Sequence, residues 1–183
     1  MRLFVALALP DAVAEGLLAI QSGIPGARWS ERAQLHLTLR FIGEVDGRDA
    51  ADIDDALSLI AAPRFALELH GVGEFGGKNP RALWAGVRDP APVVHLARKI
   101  ETAIQRIGLP AEQRKFVPHV TLARLRAAPR GRVLDYLADH ALYASGAFAV
   151  ESFVLFSSVL TDDGSIYTPE REYGLSNWPK ALG

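Results

Sequence analysis

The sequence contains no cysteine, and this absence removes several kinds of chemistry at once. A disulfide framework, a thiolate metal site and a cysteine nucleophile are all excluded. The absence also suits a reducing compartment, so we expect the protein in the cytoplasm. A metal would need histidine and carboxylate ligands, and the chain has only five histidines. We therefore expect no metal, and we expect no other cofactor.

The chain also lacks an excess of charge of either sign. Lys and Arg number 20 and Asp and Glu number 21, so the net charge is −1. Proteins that wrap DNA electrostatically carry a large basic excess, so we expect no DNA partner. No segment approaches the roughly 18 apolar residues that span a membrane. The apolar run Leu3–Leu9 ends at Pro10 without a small-residue cleavage site, which favours a buried strand over a signal peptide.

Periodicity and turn residues predict an α+β protein. The length of 183 residues fits one or two domains, and 49% of the residues are hydrophobic, which is enough for a core. We expect one domain over residues 1–183 and a monomer. The order of elements favours a largely antiparallel sheet. Predicted strands are Leu3–Leu9, Leu35–Ile42, Phe65–Val72, Ala82–Val87, Phe116–Leu125, Ala147–Leu160 and Ile166–Tyr173, the last two flanking a turn at 161–164; predicted helices are Ala12–Gln21, Asp49–Ala61, Pro92–Ile107 and Arg132–His140.

Two short stretches of the sequence resemble each other. One reads His-Leu-Thr-Leu from His36, the other reads His-Val-Thr-Leu from His119, and they lie 83 residues apart. With five His and five Thr in the chain, only about 0.14 His-x-Thr pairs are expected by chance. Two copies in a chain of this length therefore indicate an internal duplication with one motif in each half.

The spacing acquires a chemical meaning if both stretches are strands. Alternation places His36 and Thr38 on the same face of the first strand, and His119 and Thr121 on the same face of the second. The apolar residues between them anchor the other face of each strand. Imidazoles exchange protons near neutral pH, and hydroxyls donate hydrogen bonds to phosphoryl oxygens. Two such strands across a cleft would form a receptor for a phosphodiester.

Positive charge is concentrated near the second motif. Between positions 114 and 132 there are six basic residues and no acidic one, which favours binding of an anion. Arg40 adds a charge on the face of His36 if its strand is regular, whereas regular alternation turns Arg124 away from Thr121. We take Arg40, Arg114, Lys115 and Arg124 as candidate substrate-binding residues. A merely solvated basic face is the plainer alternative.

At this point the sequence resembles a known family, the two-histidine phosphoesterases. Within it, the chain is most similar to the RNA 2′,3′-cyclic phosphodiesterases, once named 2′-5′ RNA ligases. The similarity covers most of the chain in order, although Ser30–Ala33 departs from the Pro-Glu-Asn-like approach common in the family. It is carried by both motifs and by the blocks Arg2–Ala6, Arg28–Trp29, His36–Glu44, Leu83–Val87 and Arg114–Arg124.

The resemblance implies a bilobal α+β fold with pseudo-two-fold symmetry, in which two antiparallel sheets face a central cleft and the helices lie outside. It implies metal-free hydrolysis of a 2′,3′-cyclic phosphate at an RNA end, or of a small cyclic nucleotide, to a 2′-phosphomonoester. By the same resemblance, His36 is the proton donor, His119 is the proton acceptor, and Thr38 and Thr121 bind phosphate.

Three other interpretations remain open from the sequence. A non-catalytic module could bind RNA ends through the same phosphate pocket, and would release the cyclic phosphate unchanged. The reverse reaction, 2′-5′ ligation, could be the relevant direction. A histidine-based metal enzyme is disfavoured, because neither motif supplies a second histidine or a carboxylate at ligand spacing.

Overall fold

The structure is a computed structural model that describes residues 1–162 and 164–177. Position 163 of the predicted turn and residues 178–183 of the predicted domain lie outside this range. Within it the chain forms nine strands and four α-helices, which confirms the α+β class. The strands are β1 (Arg2–Ala8), β2 (Ala27–Trp29), β3 (His36–Glu44), β4 (Phe65–Phe75), β5 (Ala82–Val87), β6 (Val120–Leu125), β7 (Ala144–Val150), β8 (Ser152–Thr161) and β9 (Gly164–Gly174); the helices are α1 (Asp11–Ala19), α2 (Gly47–Ser58), α3 (Ala91–Arg106) and α4 (Arg130–Asp139).

All strand ladders are antiparallel, and they form a single path. The order is β7-β4-β5-β6-β3-β1-β8-β9, with β2 paired to β6. The two groups of four strands meet where Leu37 of β3 pairs with Val120 of β6. The two expected sheets are therefore hydrogen-bonded to each other through the motif strands rather than separate.

The order strand, helix, motif strand, helix, strand occurs twice along the chain if two inserted strands are set aside. The first run goes from β1 to β4 with β2 inserted, and the second from β5 to β8 with β7 inserted. The final strand of each run crosses over: β4 pairs with β5, and β8 pairs with β1. Each group of four strands thus contains segments from both halves of the sequence.

One face of the sheet packs against the helices and forms the core. Leu3, Val5 and Leu7 of β1 belong to this core, together with the buried residues Ile53 of α2 and Ile100 of α3. The amphipathic pattern of the helices explains their position, because their apolar residues recur on one side. The opposite face of β1 carries Phe4 and Ala6, which are buried but lie outside the core cluster. We call the face that carries Phe4 the cleft face.

Two predicted strands differ most from those in the structure. The strand expected over Phe116–Leu125 begins only at Val120, and Pro118 in the excluded part has no N–H to donate to a ladder. The strand expected over Ala147–Leu160 is divided at Glu151 into β7 and β8. These two strands pair with β4 and β1, in different groups of the sheet, so the chain must change direction between them.

No helix among residues 1–162 and 164–177 has the length and apolar character needed to cross a membrane.

Candidate active site

The two motifs lie side by side on the cleft face. His36 and Thr38 pair with Ala8 and Ala6 of β1, and the intervening Leu37 is fully buried in the core. Thr121 pairs with Trp84 of β5. Because β3 and β6 are neighbours in the sheet, the alternation predicted from the sequence brings both His-x-Thr pairs to one surface.

A β-bulge follows the threonine of each motif at the same place. In β3, Thr38 pairs with Ala6 and Arg40 with Val5, which leaves Leu39 as the extra residue. The same shift occurs in β6. There Thr121 pairs with Trp84 and Ala123 with Leu83, which leaves Leu122 as the extra residue. A bulge reverses the alternation, so the side chains that follow it lie on the face opposite to the expected one; in β3 this holds until a second shift between Phe41 and Gly43.

The bulge in β3 makes the prediction for Arg40 wrong. Arg40 lies on the core side, 8% exposed, where it forms an ion pair with Glu101 of α3 instead of facing His36. Regular alternation would place Phe41 on the core face with Leu39, but the bulge turns it to the cleft face. There the guanidinium carbon of Arg2 lies 4.9 Å from the centroid of the Phe41 ring.

The bulge in β6 has the converse effect on Arg124. Regular alternation predicts that Arg124 points away from Thr121, but the bulge places both on the cleft face, with Arg124 exposed. Arg124 pairs with Arg28 of β2, which is also exposed. The sequence does not indicate Arg28 as a site residue, because a strand of three residues is too short to show an alternating pattern. The one sequence feature that points to it is the Arg28–Trp29 pair ahead of the first motif.

His119 has one ring nitrogen fixed by the backbone. Its Nδ1 lies 2.6 Å from the carbonyl oxygen of Val117, and since a carbonyl only accepts, Nδ1 carries the hydrogen. Nε2 is then the nitrogen available for proton transfer. Phe75 packs edge-on against the ring at 5.0 Å, and Trp84 lies at 6.1 Å. Burial lowers the pKa of His119, and the hydrogen bond to Val117 opposes that shift.

His36 lies in a similar aromatic setting on the other side. The ring centroids of Phe4 and Tyr167 are 4.9 and 5.1 Å away, and that of Phe156 is 6.2 Å away. Burial lowers the pKa of His36 to about 4, against a hydrogen bond to the Gln34 backbone that raises it. The charge of His119 lowers the pKa of His36 further.

The backbones of both threonines are held in the sheet, and their side chains lie on the cleft face. Ser30 binds the backbone next to Thr121: its Oγ donates to the Thr121 carbonyl at 3.0 Å and its N–H to the Leu122 carbonyl at 2.8 Å. The carbonyls around the bulge are therefore satisfied without the Thr121 side chain. Thr38 and Thr121 are both half-buried.

Arg114 and Lys115 lie in the segment that precedes His119. Arg114 is exposed and forms two hydrogen bonds with Glu112, from Nε at 3.2 Å and from Nη2 at 3.1 Å. Its charge is thus largely neutralised by a carboxylate just outside the basic run identified in the sequence. Lys115 is exposed, and its part in binding stays a prediction.

A second concavity lies away from these residues, between α2 and α3. It has a volume of about 870 Å³, and its walls include Asp52, Leu59, Arg98 and Arg106. Neither motif histidine lines it, so the candidate active site is the open cleft face rather than this groove. Among the described residues no three His, Asp or Glu side chains converge on a common metal position.

The 2′-5′ RNA ligase superfamily model matches residues 9–161, which include both motifs. The chain belongs to the 2′-5′ RNA ligase superfamily. A relative from Archaeoglobus fulgidus named RNA 2′,3′-cyclic phosphodiesterase is 31% identical over 94% of this chain and 99% of its own. These matches confirm the family to which the sequence was assigned by its paired motifs.

Solved structures of this superfamily share the fold described above. The crystal structure of TT0787 of Thermus thermophilus has a TM-score of 0.81 and 27% identity, and covers 95% of this chain and 97% of its own. Escherichia coli LigT in complex with 3′-AMP has a TM-score of 0.78 and 27% identity, and the match covers 96% of this chain and 98% of the LigT chain.

Proposed function

We propose that this protein hydrolyses 2′,3′-cyclic phosphodiester ends of RNA to 2′-phosphomonoesters. The observation that carries the proposal is the placement of two His-x-Thr pairs on one face of the sheet, one in β3 and the other where the chain enters the neighbouring strand β6. A relative that aligns with nearly the whole chain is named for this activity, and a related structure holds 3′-AMP. Both support the same substrate class.

The two imidazoles supply the acid and the base of an in-line displacement. His119 Nε2 accepts a proton from water as the water oxygen attacks phosphorus. Protonated His36 donates to the 3′-oxygen as the P–O3′ bond breaks, which leaves the phosphate on the 2′-oxygen. Each positioned proton transfer is worth about 10²- to 10⁴-fold in rate.

Charge that develops on the phosphoryl oxygens meets donors on both strands. Thr38 and Thr121 donate hydrogen bonds from either side, and Arg124 supplies positive charge beyond Thr121. Donors held in place before the reaction stabilise the transition state without reorganising. The anionic phosphate also raises the pKa of an adjacent imidazole, so His36 gains its proton as the substrate enters.

Both proton transfers are assigned to side chains of the chain itself, so the proposed mechanism uses no metal. We further propose that residues 1–183 form one two-lobed domain, with one motif in each lobe. The cytoplasmic location and the monomeric state expected from the sequence stay predictions.

The test is turnover of RNA oligonucleotides and mononucleotides with 2′,3′-cyclic ends, with the product assigned by phosphorus NMR. We expect a 2′-phosphomonoester, formed at an unchanged rate after exhaustive EDTA treatment. Binding without turnover would instead identify an RNA-end binding module. Loss of activity on chelation, restored by a divalent ion, would overturn the metal-free mechanism.

A further inference from the structure

A buried arginine ties the strand of the first motif to the segment that leads into the second. Arg40 of β3 is 8% exposed, and no other charged side chain in the described part of the chain is buried to that degree. It forms an ion pair with Glu101 of α3, and its Nη2 donates to the carbonyl of Pro110 at 2.6 Å. Pro110 lies at the start of the segment that ends at His119.

Two carboxylates extend this contact along the segment. The Oε1 atom of Glu101 accepts the backbone N–H of Glu112 at 3.0 Å, and Glu112 lies 3.8 Å from Nη1 of Arg40. Glu112 in turn accepts the backbone N–H of Arg114 at 3.0 Å. Hydrogen bonds from Arg114 hold the pKa of Glu112 at about 2, so this carboxylate stays charged throughout the working range of an enzyme.

The segment has no helix or strand of its own between Arg106 and Val120. Leu109 and Phe116 pack against the core and would still hold the segment if Arg40 were removed. The side-chain hydrogen bonds and ion pairs that fix the segment are those of Arg40, Glu101 and Glu112. Its last part supplies the Val117 carbonyl that fixes Nδ1–H of His119. The position of this backbone therefore decides which ring nitrogen of His119 faces the cleft.

The fold itself does not require a charge at position 40. The equivalent residue of the second motif, two positions after Thr121, is Ala123, which is fully buried. Burying a guanidinium costs free energy that only well-placed partners offset, and an apolar residue of similar size often serves stability equally well. The arginine at this place is thus better explained by what it holds than by the core.

We propose that Arg40 is a positioning residue for His119. Through Glu101 and Glu112 it holds the segment 110–118 against the strand of the first motif and so fixes the geometry between His36 and His119. The effect on catalysis rests on the proposed function, whereas the effect on the His119 ring does not.

Arg40→Met retains the length of the side chain and removes the charge and the donors. We expect kcat to fall about 10- to 100-fold at temperatures well below Tm, with KM changed less than about threefold, since a small misplacement of a reacting group has such effects. Long-range proton–nitrogen NMR of the free protein should show His119 changing from the single Nδ1–H tautomer to a mixture. Arg40→Lys should recover only part of kcat, because a lysine ammonium lacks the planar arrangement of N–H donors of a guanidinium.

Arg171→Met is the matched control, because Arg171 also pairs with a helix carboxylate, Asp54, but contacts neither motif. It should leave kcat and the His119 tautomer unchanged. A normal kcat and an unchanged His119 tautomer in folded Arg40→Met would overturn the proposal. If Arg40→Met does not fold, the same two results in Arg40→Lys and Glu112→Gln together overturn it. The tautomer measurement decides even if the wild-type protein turns over no cyclic phosphate.

Discussion

Replacement of His36 or His119 by Gln lowers kcat for a 2′,3′-cyclic nucleotide at least about 10²-fold, because each variant loses one of the two proton transfers. Glutamine keeps a polar side chain of similar size but neither accepts nor donates a proton as imidazole does. Binding of the 2′-phosphomonoester product, measured by calorimetry, should change little, since Thr38, Thr121 and Arg124 remain.

His70→Gln is the control for these two variants. His70 lies on β4 and pairs with Ala144 at the far edge of the sheet from the motif strands. This variant should keep full activity. Near-normal turnover by folded His36→Gln and His119→Gln would contradict the two-histidine mechanism and leave the motifs as strand packing.

Replacement of Gly73 by Ala should lower kcat/KM about 10- to 100-fold, although Gly73 touches no substrate. Gly73 pairs with Trp84, and a Cβ built on it would lie 2.2 Å from an atom of the Trp84 indole. The ring must move, and with it the surface beside His119 and Thr121. Overpacking of this kind also costs about 1–3 kcal/mol, which urea unfolding would measure.

Gly174→Ala provides the comparison, because a Cβ at Gly174 would meet nothing within 4 Å and its backbone is in an ordinary conformation. We expect unchanged kcat/KM and stability for that variant. Equal effects of the two substitutions would show that the space over Gly73 is not what positions the indole.

Local patterns in the sequence were enough to predict most of the fold and the shared face of His36 and Thr38. Alternation placed His36 beside Thr38 correctly, because the strand is regular up to that point. The same rule failed for Arg40, Phe41 and Arg124, all of which follow a bulge. No glycine or other local signal marks either bulge, since each depends on pairing with a neighbouring strand.

Long-range pairing explains the other differences. The pairing of Leu37 with Val120, which joins the two groups of strands, links residues 83 positions apart, and nothing in the local sequence specifies it. The pairing of Arg114 with Glu112 is not apparent from the basic run, because Glu112 lies two residues before the first arginine of that run.

The central claim, that His36 and His119 act as acid and base on one phosphate, is tested most directly by the pH dependence of kcat/KM. The base must be neutral, so the rate rises with pH through the pKa of His119; the acid must be protonated, so the rate falls as pH rises through the pKa of His36. Both pKa values lie below the ordinary value of 6.5 in the free protein, that of His36 at about 4. We predict a bell-shaped profile with its maximum below pH 6.5, whose rising limb is absent in His119→Gln and whose falling limb is absent in His36→Gln. A profile without a maximum between pH 4 and 8, or one that keeps both limbs in both variants, would contradict the account.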